Sequence, residues 1–206
     1  MKTTRNYQQI KNSVLKLGYV WNTRPNGINY IWERVDFKAT NRFTDFLHVC
    51  YVDEKNQEIV LSIPATTKPG LKGSLLEPVT VQGVRGTAVI ESPQQVIKGW
   101  RFVDKYDAFS KYPFFQQIGK VNYWRDGNKD TIIDKVQRQI GKIFGTNWHR
   151  MSNNETYGSG EVNNWSLGCA GAPEPEWIKI LPITRLNVKL YGTDVNGTFL
   201  NSENFI

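Results

Sequence analysis

A chain of 206 residues with 39% hydrophobic and 13% aromatic side chains can fill a core, which excludes a wholly disordered polymer and fits one domain or one domain with an appendage. Its formal charge of +7 suits an anionic partner, nucleic acid or a polyanionic cell wall, but the Lys and Arg residues form no dense run and read as solvated surface. Two Cys exclude a disulfide framework, and seven Trp, nine Tyr and ten Phe with 17 Gly favour strands and turns over helices.

Thr4 or Asn6 can cap a helix running to about Leu17, because Tyr7, Ile10, Val14 and Leu17 make one apolar stripe and Gly18 is placed to end it. A turn at Arg24-Pro25-Asn26-Gly27 follows, so residues 1–28 are expected as a helix and turn packed on a single mostly-β domain over 29–206. Residues 28–35, 46–52 and 58–64 read as strands, the last two joined by a hairpin turn at Asp53-Glu54-Lys55-Asn56. Cys50 sits in an apolar strand run and is expected reduced and buried, with His48 on the same strand face. A metal site built from His48, Cys50, His149 and Cys169 lacks short paired-ligand spacing, so no metal or other cofactor is expected.

Residues 66–73 read as a loop, and 78–84, 87–90, 96–103 and 121–124 as further strands. The aromatics Tyr106, Phe109, Tyr112, Phe114 and Phe115 can stack on sugars or bases, or simply serve as core and loop anchors. Asp126, Asn128 and Asp130 mimic the start of a calcium loop, but Thr131 stands where an EF-hand needs Gly and Gln137 where it needs Glu, which leaves a polar hairpin. Towards the C-terminus the pattern predicts a short helix from Glu176 to Leu181 stopped by Pro182, a strand over 187–192 and a turn at Asp194-Val195-Asn196-Gly197.

The chemistry-bearing stretch runs from His149 to Cys169 and contains one of the chain's two His and one of its two Cys. A cysteine nucleophile needs an imidazole to take its proton. Residues 144–148 read as a strand delivering His149, and 151–164 as an exposed polar loop that lets the chain fold back. Gly168 permits a sharp turn whose backbone N–H groups can converge on an oxyanion. The plainer reading makes Cys169 a small buried hydrophobe and His149 an ordinary strand residue.

His149, sixteen intervening residues and then Ser166-Leu167-Gly168-Cys169 resemble the signature of the L,D-transpeptidase catalytic domain, a β-sandwich-like cysteine enzyme of bacterial peptidoglycan. The resemblance implies that Cys169 is the nucleophile and His149 its base. It also implies that the Arg150 carbonyl orients the imidazole, and that Gly168 and Ser166 shape the oxyanion site. Two positions depart from the family: its second His is Leu167 here, next to the nucleophile, and its Arg or Asn after the Cys is Gly171. A looser likeness to the same domain covers Ile63-Pro64-Ala65-Thr66-Thr67-Lys68-Pro69-Gly70. The His…Trp-Ser-x-Gly-Cys pattern is also similar to one in phage and prophage proteins.

These likenesses imply an acyl transfer on peptidoglycan stem peptides, ending in transpeptidation or hydrolysis. The alternative is a non-catalytic wall-binding or virion module of the same fold. The first residues contain no apolar signal region, so export by a signal peptide is not expected and delivery in a virion or during lysis is. No transmembrane run and no nucleic-acid-binding motif is present, and the sequence does not specify an oligomeric state.

Overall fold

The N-terminal stripe forms helix α1, Tyr7–Lys16, in a computed structural model that describes residues 5–70, 80–81, 84–104, 112–126, 128, 130, 132–151 and 161–205. Asn6 is the cap: its side chain accepts from the Gln9 N–H while the Gln9 side chain accepts from the Asn6 N–H, each at 2.9 Å. Tyr7, Ile10 and Val14 are buried against Ile31, Cys50 and Leu200 on the outer face of a large sheet.

The chain is mostly β. Thirteen strands are described: β1 Asn29–Arg34, β2 Asp45–Val52, β3 Glu58–Ala65, β4 Thr80–Val81, β5 Val84–Arg85, β6 Thr87–Ile90, β7 Gln94–Val103, β8 Phe114–Gln117, β9 Val121–Asp126, β10 Gln139–Lys142, β11 Trp148–Arg150, β12 Ala170–Ala172 and β13 Asp194–Asn201. Eight of them form one mixed sheet in the order β12-β11-β8-β7-β13-β1-β2-β3. Thr66, just past β3, bridges Gly171 in β12, so the two edges meet and the sheet is nearly closed. A second sheet, β10-β9-β6, packs on it through Ala88, Ile90, Val121 and Tyr123.

Strand alternation sorts the side chains. Tyr30, Trp32, Leu47 and Val49 point into the main core with Trp100, Phe115, Trp148 and Phe199, while Ile31 and Cys50 face α1. Trp148 stacks on Trp100 with ring centroids 4.3 Å apart and lies 5.2 Å from Phe115 and 5.4 Å from Trp32. Phe115, among the candidate stacking aromatics, is thus core, whereas Tyr106 and Phe109 lie outside the described residues. The strand expected over 78–84 also falls largely outside them.

The C-terminal quarter departs from the sequence reading. Helix α2 runs from Glu174 to Tyr191 straight through Pro182, in place of a short helix followed by a strand. A proline removes one helical N–H bond. Burial of Trp177, Ile180, Leu181 and Thr184 along one stripe offsets that loss, and Tyr30 Oη and Thr184 Oγ1 are hydrogen-bonded at 2.9 Å. The segment expected as a turn at 194–197 opens β13, which lies between β7 and β1 and pairs in parallel with β1. A Cβ at Gly197 would come within 2.4 Å of the Trp100 ring and 2.5 Å of the Trp148 ring. That glycine is therefore a strand residue whose missing side chain makes room for two indoles. Among the described residues no helix is long and apolar enough to cross a membrane.

Under α1, Glu33 is buried at 2% exposure and accepts from His48 Nε2 at 2.8 Å, from the Arg5 guanidinium at 2.6 Å and from Ser202 Oγ at 2.6 Å. Burial alone would raise its pKa, but these bonds outweigh burial and hold it near 2. A carboxylate depressed below its unfolded value adds stability above about pH 4.5, and that stability is lost as pH falls towards 2. Glu33→Gln is expected to cost about 3 kcal/mol in urea unfolding at neutral pH and to flatten stability across that acid window. An unchanged acid profile would contradict this account.

Candidate functional site

The two candidate residues lie on neighbouring strands. β11 and β12 run parallel, with His149 paired to Gly171 and Trp148 to Ala170, and Cys169 immediately precedes β12. Trp148, Ala170 and Ala172 point into the core, so alternation puts His149 and Cys169 on the opposite, common face. Parallel-strand spacing separates their Cα atoms by roughly 8 Å.

His149 donates from Nδ1 to the Arg150 carbonyl oxygen at 2.6 Å. A carbonyl can only accept, so the proton sits on Nδ1 and a neutral ring leaves a bare lone pair on Nε2. Nε2 makes no hydrogen bond to a described residue. Burial lowers the His149 pKa and the Arg150 guanidinium pushes the same way, against the carbonyl bond. That guanidinium is held by Glu174 at 3.2 Å and lies 3.2 Å over the Tyr112 ring.

The Cys169 thiol points to the Gly145 carbonyl, with Sγ 3.6 Å from its oxygen, and no hydrogen bond joins it to His149. It is hemmed in by protein yet keeps a partial window to solvent. Burial pushes its pKa up to about 11 against a smaller opposing pull from the Asn147 backbone. The resting pair is therefore a neutral thiol and a neutral imidazole on adjacent strands. Cys50 is fully buried in β2, and its thiol is pushed up further.

The turn before Cys169 is tightly specified. Ser166 Oγ donates to the Cys169 carbonyl at 2.8 Å and accepts from the Gly168 N–H at 3.3 Å, and Thr146 Oγ1 donates to the Gly168 carbonyl at 2.9 Å. Gly168 has φ +128, and a Cβ there would meet the Ala88 carbonyl of β6 at 2.8 Å. The Gly168 N–H, expected as one of two oxyanion donors, is thus engaged by Ser166. The Cys169 N–H has no partner among the described residues.

Both departures from the family signature have a visible setting. At Gly171 a Cβ would lie 2.2 Å from the His149 carbonyl oxygen and 2.7 Å from Met151, so no side chain fits where β11, β12 and Thr66 converge. Leu167 is 40% exposed and Trp165 36%, which leaves apolar surface on the turn that leads into Cys169.

The segment from Ile63 to Gly70 meets this turn directly. Thr66 exchanges two backbone hydrogen bonds with Gly171, and the Gly70 N–H donates to the Ser166 carbonyl at 3.0 Å. An ion network holds that segment, with Lys68 and Asp45 buried and Asp36 open to solvent: Lys68 Nζ lies 3.0 Å from Asp45 and 2.8 Å from Asp36, and Asp45 Oδ2 accepts from the Thr67 N–H and hydroxyl at 2.8 Å. Sequence reading missed this support, and it took 144–148 as a strand, whereas β11 starts only at Trp148 and Gly145, Thr146 and Asn147 form an irregular segment against the turn. Only the run of ionisable and hydroxyl residues in a β-rich context hinted at the network. Among the described residues no group of three or more His, Cys, Asp or Glu side chains is set to hold a metal ion.

Comparison of the chain with protein-family models, with curated proteins and with solved structures gave no match.

Two outcomes follow from this geometry. Cys169 alkylation is expected to be slow at neutral pH and to climb steadily as pH rises towards 11, with native Cys50 unreactive throughout. A Cys169 rate that levels off below about pH 8 would mean a stabilised thiolate. Gly171→Ala should force β11 from β12 and cost about 2 kcal/mol or more in thermal or urea unfolding.

Proposed function

We propose that the chain is a cysteine acyl-transfer enzyme acting on peptidoglycan stem peptides in the manner of L,D-transpeptidases. The observation that carries this reading is the Nδ1–H bond of His149 to the Arg150 carbonyl, which leaves Nε2 as a free base on the strand beside Cys169. The same orienting carbonyl is what the sequence resemblance implies. The direct contact of the 63–70 segment with the Ser166–Gly171 turn adds a second, independent piece of the likeness.

In this mechanism a bound stem peptide turns the S–H away from Gly145 and towards Nε2. His149 takes the proton as sulfur attacks the carbonyl carbon of an L,D bond, so that a C–S bond forms and the oxyanion receives the Cys169 N–H. Imidazolium then protonates the leaving amine, and the C–N bond breaks. An acceptor amine or water next attacks the thioester carbonyl while His149 removes its proton, and the thiol is released. The neutral resting pair means that the thiolate forms only with substrate in place. Peptidoglycan as partner and a phage or prophage setting belong to the same proposal.

A second reading, a non-catalytic wall-binding or virion module, is favoured by the thiol's bond to Gly145 and by Leu167 and Gly171 at positions where the family carries polar groups. Mass spectrometry of muropeptides after incubation with purified peptidoglycan separates cross-linking, cleavage and no reaction. Cys169→Ala and His149→Ala are each expected to lower turnover by about 10³-fold or more without loss of fold, whereas Cys50→Ala should affect only stability. Leu167→His at this exposed position should leave the fold unchanged and not raise turnover. Wild-type turnover in Cys169→Ala would refute the cysteine mechanism and leave the binding module.

A further inference from the structure

Residues 144–147 belong to neither helix nor strand, and one buried side chain gives them their shape. Gln117, the last residue of β8, accepts at Oε1 from three successive backbone N–H groups: Phe144 at 3.2 Å, Gly145 at 3.0 Å and Thr146 at 2.9 Å. Left-handed backbone at Gly145, with φ +85, turns these neighbouring donors onto one oxygen. The Nε2 of the same amide donates to the Gly119 carbonyl at 2.8 Å and to the Lys142 carbonyl at 3.1 Å, and the Gln117 N–H donates to Asn147 Oδ1 at 2.9 Å. Replacing this residue by an apolar one would leave donors and acceptors on both sides unpaired.

The Thr146 N–H and the Gly145 carbonyl belong to one planar peptide, in which the two groups point in opposite directions. Gln117 holds the N–H end at 2.9 Å, so the carbonyl end is aimed away from it, and there it meets Cys169 Sγ at 3.6 Å. On the same segment Thr146 Oγ1 donates to the Gly168 carbonyl and the Asn147 carbonyl accepts from the Ala170 N–H at 3.1 Å, so both neighbours of Cys169 are gripped as well. We propose that Gln117 is a positioning residue for Cys169: by fixing the peptide between Gly145 and Thr146 it sets where the thiol proton points before substrate arrives. The catalytic meaning of this role rests on the acyl-transfer reading, but its effect on the thiol does not. A carbonyl that accepts the S–H favours the neutral thiol over the thiolate. Gln117 therefore acts through the loop to keep the sulfur at rest, although it touches neither the thiol nor the imidazole.

The test is alkylation of Cys169 in the full chain, read as rate against pH, which needs no substrate. Gln117→Met keeps the length and bulk of the side chain but has no amide to offer the loop. The midpoint of its profile is expected about one pH unit below that of the wild type, with alkylation at pH 7 about threefold faster or more and no rise in the rate at the alkaline limit. Gln117→Glu, which retains an oxygen for the three N–H groups, should keep the midpoint at or above the wild-type value. Gln94→Met is the matched control: Gln94 is a buried glutamine of β7 that bonds the Glu91 and Asn122 carbonyls and the Asn122 N–H, and its loss should leave the Cys169 profile unchanged. If Gln117→Met does not fold, amide exchange in the wild type takes its place, and the Gly145 and Thr146 N–H groups should then be protected. A midpoint in Gln117→Met that stays or rises, a rate raised equally at every pH as mere exposure would give, or exchange of those two amides as fast as in an unstructured loop would overturn the role. Absence of peptidoglycan turnover by the wild type would remove the acyl-transfer reading and leave the alkylation result standing.

Discussion

The packing of Trp148 inside the nearly closed sheet is the constraint on which the rest depends. β11 has only three residues, too few to hold a direction through backbone pairing alone. Its central partners are rings: Trp100, Phe115, Trp32, Tyr30 and Phe199 all have centroids within 6.2 Å of Trp148. Aromatic contacts of this kind stabilise by burial and by ring geometry together. The indole of Trp100 also donates to the Thr146 carbonyl at 2.8 Å, which fixes the chain just ahead of Trp148. With that indole seated, alternation leaves His149 no choice of face.

The turn carrying Cys169 is held from three sides. β6 presses the Ala88 carbonyl against Gly168, the 145–147 segment supplies carbonyls and a hydroxyl, and the 66–70 segment bonds to Ser166 and Gly171. The candidate site therefore sits at the seam where the sheet's two edges meet. Seams of this kind bring backbone groups from distant parts of the chain into one place, which is what a preorganised polar site requires. The buried pair of Lys68 and Asp45, joined at its solvent edge by Asp36, gives one side of the seam its rigidity, and it holds only while each buried charge keeps its partner.

Sequence signals that act locally were legible. The Asn6 cap with its apolar stripe, the alternating run of Asn29 to Ala65 and the hairpin at Asp53 to Asn56 each depend on neighbours a few residues away. What escaped was set at long range. Pro182 reads as a stop unless the burial of Trp177, Ile180 and Thr184 on one stripe is known, and Gly197 reads as a turn unless two indoles need its space. The site divides in the same way. His149, Cys169 and the segment 63–70 could be picked out from residue pattern, whereas the loop expected after Met151 falls mainly on residues 152–160, outside the described part. The protonation state of the thiol and the engagement of the Gly168 N–H could not, because burial and the Ser166 hydroxyl position are products of the whole fold.

The position of β13 has a consequence for how the chain reaches this state. The strand formed last along the sequence lies in the middle of the large sheet, between β7 and β1, and its parallel partner β1 begins some 165 residues earlier. Neither half of the sheet can be completed until that strand arrives. Contacts of such long sequence separation must be closed against chain entropy before they return any stabilisation, so folding is expected to be slow and all-or-none. A ribosome-bound fragment lacking β13 would expose two unpaired inner edges, and helix α2 would have to dock while the sheet beneath it was still open. Such a chain depends on protection from edge-to-edge association during synthesis far more than a sheet built in sequence order would.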